Sequence, residues 1–462
     1  MSKTVCAVST APMKAGVSVI RISGDDAENI IRRIFFKNNP DSLEPWGKIV
    51  PRSAHYGLIA VDGKIIDDVL MTFFPAPNSY TGEDTAEISC HGGVRVTAMV
   101  LDAVLWAGAS PAEAGEFTRR SFINGKTSLT KAEGIAKLLD AKSEQAVYLS
   151  GKVARGRLSQ EINSIADKLL TPVSSLYAAI DYPEEDMEEI SDDELLAAIE
   201  ECAEKISRLI LTSKTGIAIT EGIDTVIVGK PNAGKSTLFN TLAGEEKAIV
   251  TSVKGTTRDV LEYPVTLGRL LLNLKDTAGI RQASSDEIEN IGISLSKKLI
   301  SSISEGLILA LFDLSEPWDE SDELLLESLK DAQSTVIPVF CKTDLEKRLD
   351  THGIEAALGK GVYICAAKAE GIDGLAKRIE ELFIADDAAL SEGRLLTSVR
   401  QRDQLRKALD CIEEAKTALT DGLKDACGAL LEEALQSLYT LDGRGVSQRI
   451  VDDIFSRFCV GK

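Results

Sequence analysis

The sequence predicts a multidomain protein: an α+β domain at the N-terminal end, an α-helical domain, and an α/β domain inserted into the helical one. Three observations predict it. Short apolar runs punctuated by turn residues fill the first 122 positions, apolar residues at helical spacing occupy two separate stretches, and between those stretches apolar strands alternate with helical segments. With 462 residues, 44% hydrophobic and 27% charged, the chain can bury two or three cores.

In chain order, residues 1–122 hold the strand-like runs VSVIRIS, AHYGLIA, DDVLMTFF and AEISC, separated by turns such as APNSYTGED. Residues 123–218 change period. KAEGIAKLLDAKSEQAVYL and DELLAAIEECAEKISRLIL return apolar residues every three or four positions, with no strand signal. Across residues 219–383 the strands DTVIVG, RLLLNLKD, GLILALFDLS, TVIPVFCK and GVYICAA are spaced by helical segments, which predicts a largely parallel sheet. Residues 384–462 are helical again, in RLLTSVRQRDQLRKALDCIEEAKTAL and CGALLEEALQSLYTL, so the α/β part interrupts a helical domain.

A formal charge of −20 argues against a protein that coats nucleic acid through counterion release, and any RNA contact must be local. The basic stretch 118–157 is open to two readings, a local RNA contact or a solvated helix face. The acidic DYPEEDMEEISDDE reads as a solvated loop and helix start. Eight cysteines are scattered without a CxxC pair, fitting reduced thiols in a cytoplasm. No run approaches the ~20 apolar residues of a membrane span, and the first residues lack a secretion signal's apolar core.

Gly229-Lys230-Pro231-Asn232-Ala233-Gly234-Lys235-Ser236 matches GxxxxGK[ST] between the strand DTVIVG and the helical STLFNTLAG. Backbone N–H groups from Asn232 to Thr237 would wrap phosphates at a helix start, Lys235 would reach the β and γ oxygens, and Ser236 would hold Mg²⁺. Asp276-Thr277-Ala278-Gly279 closes a strand, where a carboxylate serves the magnesium shell and a glycine N–H senses the γ-phosphate. Between them Thr251, Ser252, Val253, Lys254, Gly255, Thr256 and Thr257 form a candidate switch, with Thr257, or its neighbour Thr256, completing the Mg²⁺ shell.

Cys341-Lys342-Thr343-Asp344 follows a strand, and an Asp carboxylate there accepts two hydrogen bonds from guanine that adenine cannot supply, which makes the nucleotide GTP. The common pattern is NKxD; Cys341 replaces the Asn amide, a loss of about 1 kcal/mol. Ala366-Ala367-Lys368 stands where SAK is usual, and Ile280 where Ras-like GTPases carry a water-positioning Gln.

Along its length the sequence resembles the tRNA-modification GTPases of the MnmE (TrmE) family, through these motifs together with RISG, PNSYTGED, HGG, GEFTRRSFINGK, DYPEED and FCVGK. The resemblance implies a folate-binding, dimerising N-terminal domain, a helical domain from the middle and end of the chain, and an inserted Ras-like G domain. It implies a potassium ion held by Asn232, Thr251, Val253 and Thr256 in place of an arginine finger, and Glu289 as the group that orients water. It also implies binding of 5-formyl- or 5,10-methylene-tetrahydrofolate through Arg21, Glu87, Lys126 and Lys462.

Cys459, with Lys462 close by in sequence, is either a reactive thiolate or an inert packed thiol. The family's task is to place an aminomethyl or carboxymethylaminomethyl group on carbon five of the wobble uridine of certain tRNAs, as a homodimer working with the flavoprotein MnmG (GidA). No GxGxxG follows the first strand, so redox chemistry falls to that partner. The rivals are a regulatory GTPase that modifies nothing, and a folate-dependent transferase whose G domain only gates assembly.

Overall fold

The computed structural model describes residues 3–39, 41–181, 191–244, 262–275, 300, 303, 306–384, 387–445, 448–456 and 458–461. The chain divides into two compact units, residues 1–136 with 436–462, and residues 137–435.

The first unit is built on strands β1 (Val5–Val8), β2 (Val17–Ser23), β3 (Phe35–Lys37), β4 (Ala54–Val61), β5 (Lys64–Phe74), β6 (Thr85–His91) and β7 (Ser110–Pro111). They form one sheet in the order β3-β4-β5-β6-β2-β1-β7, antiparallel except for β1 beside β7. Period-two alternation sends Ile20 and Ile22 of β2, Met71 of β5 and Ile88 of β6 into a core with Ile30, Ile31, Ile34, Val100 and Val104 from helices Ala27–Ile34 and Val94–Trp106. The same alternation turns Arg21 and Glu87 to the opposite face. There they stand directly across from each other in the β2–β6 register.

Residues 436–462 return to this sheet. Val451, Phe455 and Phe458 pack on Leu129 and Ala132, Val460 bridges to Ala114, and Ser9 Oγ donates to the Gly461 carbonyl at 2.9 Å. Two glycines permit the approach: a Cβ on Gly115 (φ +66°) would press into the Phe455 carbonyl, and one on Gly461 (φ +99°) into that of Val8.

The second unit joins long helices, among them Glu144–Ala154, Arg157–Asp181, Asp192–Thr220 and Val399–Thr420, to a six-stranded sheet. Helix Asp192–Thr220 starts at a capping box between Ser191 and Glu194 and packs against Val399–Thr420, so the helices on either side of the sheet in sequence meet in space. The strands are β8 (Ile223–Gly229), β9 (Glu262–Leu267), β10 (Leu270–Lys275), β11 (Leu307–Asp313), β12 (Thr335–Cys341) and β13 (Val362–Tyr363). Their order is β13-β12-β11-β8-β10-β9, parallel except for β9 at the edge.

This is the parallel sheet that strand–helix alternation predicts. Its inner strands read as continuous apolar runs because both faces are covered: Ile227, Leu309 and Leu311 face one core, and Val226, Val228, Ile308 and Phe312 the other. The strand order reverses at β8, which has β10 on one side and β11 on the other, and a crevice beyond the carboxyl ends of such strands is where open α/β sheets bind ligands. No helix among the described residues is long and apolar enough to cross a membrane.

Candidate functional site

The loop after β8 leads directly into helix Lys235–Gly244. Its path requires left-handed backbone at Asn232 (φ 62°) and Gly234 (φ 98°), and Asn is among the few residues with a side chain that tolerate this. Leu238 N donates to the Gly234 carbonyl at 2.8 Å, starting the helix whose first-turn amides are the anion-binding groups. Ala233 is buried under the loop, while Ser236 and Thr237 are exposed at the helix start. Lys235 curls over the loop, its Nζ donating to the carbonyls of Gly229 and Lys230, each at 2.8 Å. Burial holds its ammonium below the ordinary lysine pKa.

At the end of β12, Cys341 is part of the apolar core, where burial pushes its thiol up to about 12. The Asn expected there would brace the loops; among the contacts present, Thr241 of the phosphate-loop helix does so, its hydroxyl donating to the Ala366 carbonyl at 2.8 Å. Lys342, in left-handed backbone (φ 60°), pairs with buried Asp313 at 2.6 Å. Asp344 lies 3.4 Å from Lys368. A bond from Cys365, then the Lys368 contact, hold its carboxyl below the ordinary value. The Asp344 carboxylate is therefore held in its charged form.

In the first unit Arg21 Nε and Nη2 both reach Glu87 Oε1, at 3.0 and 2.9 Å, and the guanidinium lies over the rings of Tyr80 and Phe117, 5.0 and 5.5 Å from their centroids. Its Nη1 is buried with no hydrogen-bond partner among the described residues. A buried donor of this kind costs about 1–3 kcal/mol, which an anionic or carbonyl-bearing ligand would recover. Lys126 follows Asn124, whose amide donates to the Thr81 carbonyl at 2.8 Å, and the Lys126 side chain runs beside Gly82.

The basic stretch 118–157 includes Arg120, yet that side chain is neither a solvated face nor free for RNA: it is held, 12% exposed, between two carboxylates and, with Tyr80, Glu83, Glu116 and Thr118, to which the sequence alone gives no role, holds this corner together. Arg120 bonds Glu83 and Glu116 at 2.9 and 2.7 Å, Glu83 accepts from Ser23 at 2.8 Å, and Tyr80 meets Thr118 at 2.8 Å. Tyr80, Glu83, Glu116, Thr118 and Arg120 lie in PNSYTGED and GEFTRRSFINGK, two of the segments that carry the family resemblance. Cys459 is exposed, whereas the other seven cysteines are buried. Thr251, Ser252, Val253, Lys254, Gly255, Thr256, Thr257, Asp276, Thr277, Ala278, Gly279, Glu289 and Lys462 lie outside the described residues.

A phosphate loop at the switch point of a parallel sheet, read with a carboxylate at the next loop but one, defines the class: a P-loop GTP hydrolase. The MnmE helical domain family matches residues 129–459, and the family described as the GTP-binding protein TrmE N-terminus matches residues 4–126. The tRNA modification GTPase MnmE of Thermotoga maritima is 36% identical over 462 residues, covering 99% of this chain and 100% of its own. Those of Lachnoclostridium phytofermentans and Clostridioides difficile are each 37% identical, covering 99% of both chains. The chain belongs to the tRNA modification GTPase MnmE family.

Proposed function

We propose that this chain is a potassium-dependent GTPase that, with the flavoprotein MnmG, installs the aminomethyl or carboxymethylaminomethyl group on carbon five of the wobble uridine of certain tRNAs. The one-carbon unit comes from 5-formyl- or 5,10-methylene-tetrahydrofolate. The working form is a cytoplasmic homodimer in which pairing of G domains drives hydrolysis. The domains are 1–122, folate binding and dimerisation; 123–218 and 384–462, the two parts of the helical domain; and 219–383, the G domain.

The observation that carries the GTPase half is the phosphate loop itself, left-handed at Asn232 and Gly234, running straight into helix Lys235–Gly244 with Lys235 Nζ resting on the Gly229 and Lys230 carbonyls. Lys235 exchanges its carbonyl partners for phosphate oxygens, Ser236 and Thr257 supply hydroxyls to Mg²⁺, and Asp344 reads guanine. Asn232, Thr251, Val253 and Thr256 would hold K⁺, and when bound there it would supply positive charge beside the phosphates. Glu289 orients the attacking water.

The modifying half rests on Arg21, whose buried Nη1, without a hydrogen-bond partner among the described residues, fits a ligand's carboxylate or carbonyl, with Glu87 fixing the guanidinium plane. Lys126 and Lys462 add charge for the folate carboxylates, and Cys459, exposed between buried Phe458 and Gly461, is a candidate nucleophile. That orphaned donor favours the modifying reading over a purely regulatory GTPase. The test is GTP hydrolysis in potassium against sodium at equal ionic strength. A marked gain in potassium is expected; equal rates with GTP bound would remove the cation site.

A further inference from the structure

We infer that Lys230 is a positioning residue of the phosphate loop: clamped by Asp319 and Asp322, it fixes the carbonyl on which Lys235 rests and thereby sets nucleotide affinity. Lys230 Nζ lies 2.9 Å from Asp319 Oδ2 and 2.8 Å from Asp322 Oδ2. Its side chain is 11% exposed and that of Asp322 2%, so this is not a solvated loop charge. The two aspartates are the N-cap and third residue of helix Glu320–Lys330 and cap each other, Asp322 N donating to Asp319 Oδ1 at 3.0 Å and Asp319 N to Asp322 Oδ2 at 3.4 Å. That helix follows β11, the neighbour of β8, so the clamp joins the loops leaving two adjacent strands.

The other end of the same residue faces the phosphate site. The Lys230 carbonyl accepts from Lys235 Nζ at 2.8 Å and from Ala233 N at 3.3 Å. Movement of the Lys230 backbone therefore moves the seat of Lys235. Asp322 gives the clamp its stiffness: its Oδ1 is buried without a hydrogen-bond partner among the described residues, and burial raises its carboxyl above the ordinary value. A charge so placed is tolerated only beside its cation, which ties Lys230 to one position.

The inference rests on the proposal that GTP binds this loop, and the experiment separates the two. Binding of a fluorescent N-methylanthraniloyl-GTP to the full chain is titrated for the unmodified protein, Lys230→Met, Lys230→Arg, Asp322→Asn and the Lys230→Met/Asp322→Asn pair, with unfolding midpoints measured alongside. Lys230→Met is expected to raise the dissociation constant on the order of tenfold, as for the loss of one charge-assisted bond. Lys230→Arg restores most of the affinity, and the double variant binds no more weakly than Lys230→Met alone, because the two side chains act as one unit. Should Lys230→Met fold poorly, the near-isosteric Asp322→Asn carries the same test. Lower midpoints with unchanged GTP affinity, or strictly additive losses, overturn the inference; failure of the unmodified chain to bind GTP overturns the GTP reading beneath it.

Discussion

Replacing Arg120 with Met is expected to destabilise the first unit and, with it, to abolish the tetrahydrofolate binding proposed for that unit. Arg120 donates to Glu83 Oε2 at 2.9 Å, to Glu116 Oε1 through Nη2 at 2.7 Å and Nε at 3.1 Å, and to the Lys3 carbonyl at 2.9 Å. The side chain is 12% exposed, against 14% for Glu83 and 16% for Glu116, so solvent screens these pairs little. Met matches the volume but removes the cation from between two carboxylates, a change that costs about 3–5 kcal/mol. For a unit of this size each kcal/mol shifts the midpoint by about 2–4 °C, which gives a fall on the order of 10 °C. The assay is calorimetric unfolding of the full chain, following the transition that a folate ligand is expected to raise in the unmodified protein. Glu83 also accepts from Ser23, in the RISG segment next to Arg21, so the ligand-induced rise should vanish as well. A midpoint within 2 °C of the parent, by the same ~2–4 °C scale, with folate stabilisation intact would refute the reasoning.

Three further outcomes are expected. Asp344→Ala should weaken GTP binding on the order of a hundredfold and erase the preference over ATP, since two hydrogen bonds to a charged acceptor are lost; a fluorescent-nucleotide competition that still ranks GTP first would count against Asp344 as the base reader. In a thiol titration of the native chain one cysteine, Cys459, should react fast, because the other seven are buried and burial holds Cys6 and Cys341 up at about 12 and Cys202 at about 11. Gly461→Ala, which presses a Cβ into the Val8 carbonyl, should speed that reaction by loosening the tail, and a second fast thiol in the parent would contradict the packing.

What the sequence discloses here is whatever depends on neighbours along the chain. Alternation in VSVIRIS and AEISC shows which residues face the core, and the continuous apolar run LILALFD marks a strand covered on both sides. The phosphate loop is legible because strand, glycines, lysine and helix lie within a few residues of one another. The clamp on Lys230 joins residues 89 and 92 positions apart, and Arg120 finds Glu83 across 37, distances at which no periodicity operates. Cys341 shows a different gap: the motif identifies the missing amide, but not that the thiol belongs to the core and that Thr241 braces the 366–368 turn. Helical period is likewise the same on both sides of Gln436, so it cannot reveal that residues 436–462 group with residues 1–136.

That grouping bears on the order in which the molecule can assemble. Residues 1–136 leave the ribosome early, yet the segment carrying Phe455, Phe458 and Val460 follows only after the whole of 137–435 has been made. Until then Leu129, Ala132 and the chain at Ala114 are bare of their covering, and the contacts that finish the earliest-made unit span most of the polypeptide. Vectorial synthesis therefore completes the two units in the reverse of the order in which it begins them. A nascent chain halted before Gln448 would carry a finished phosphate loop and an unsealed N-terminal sheet.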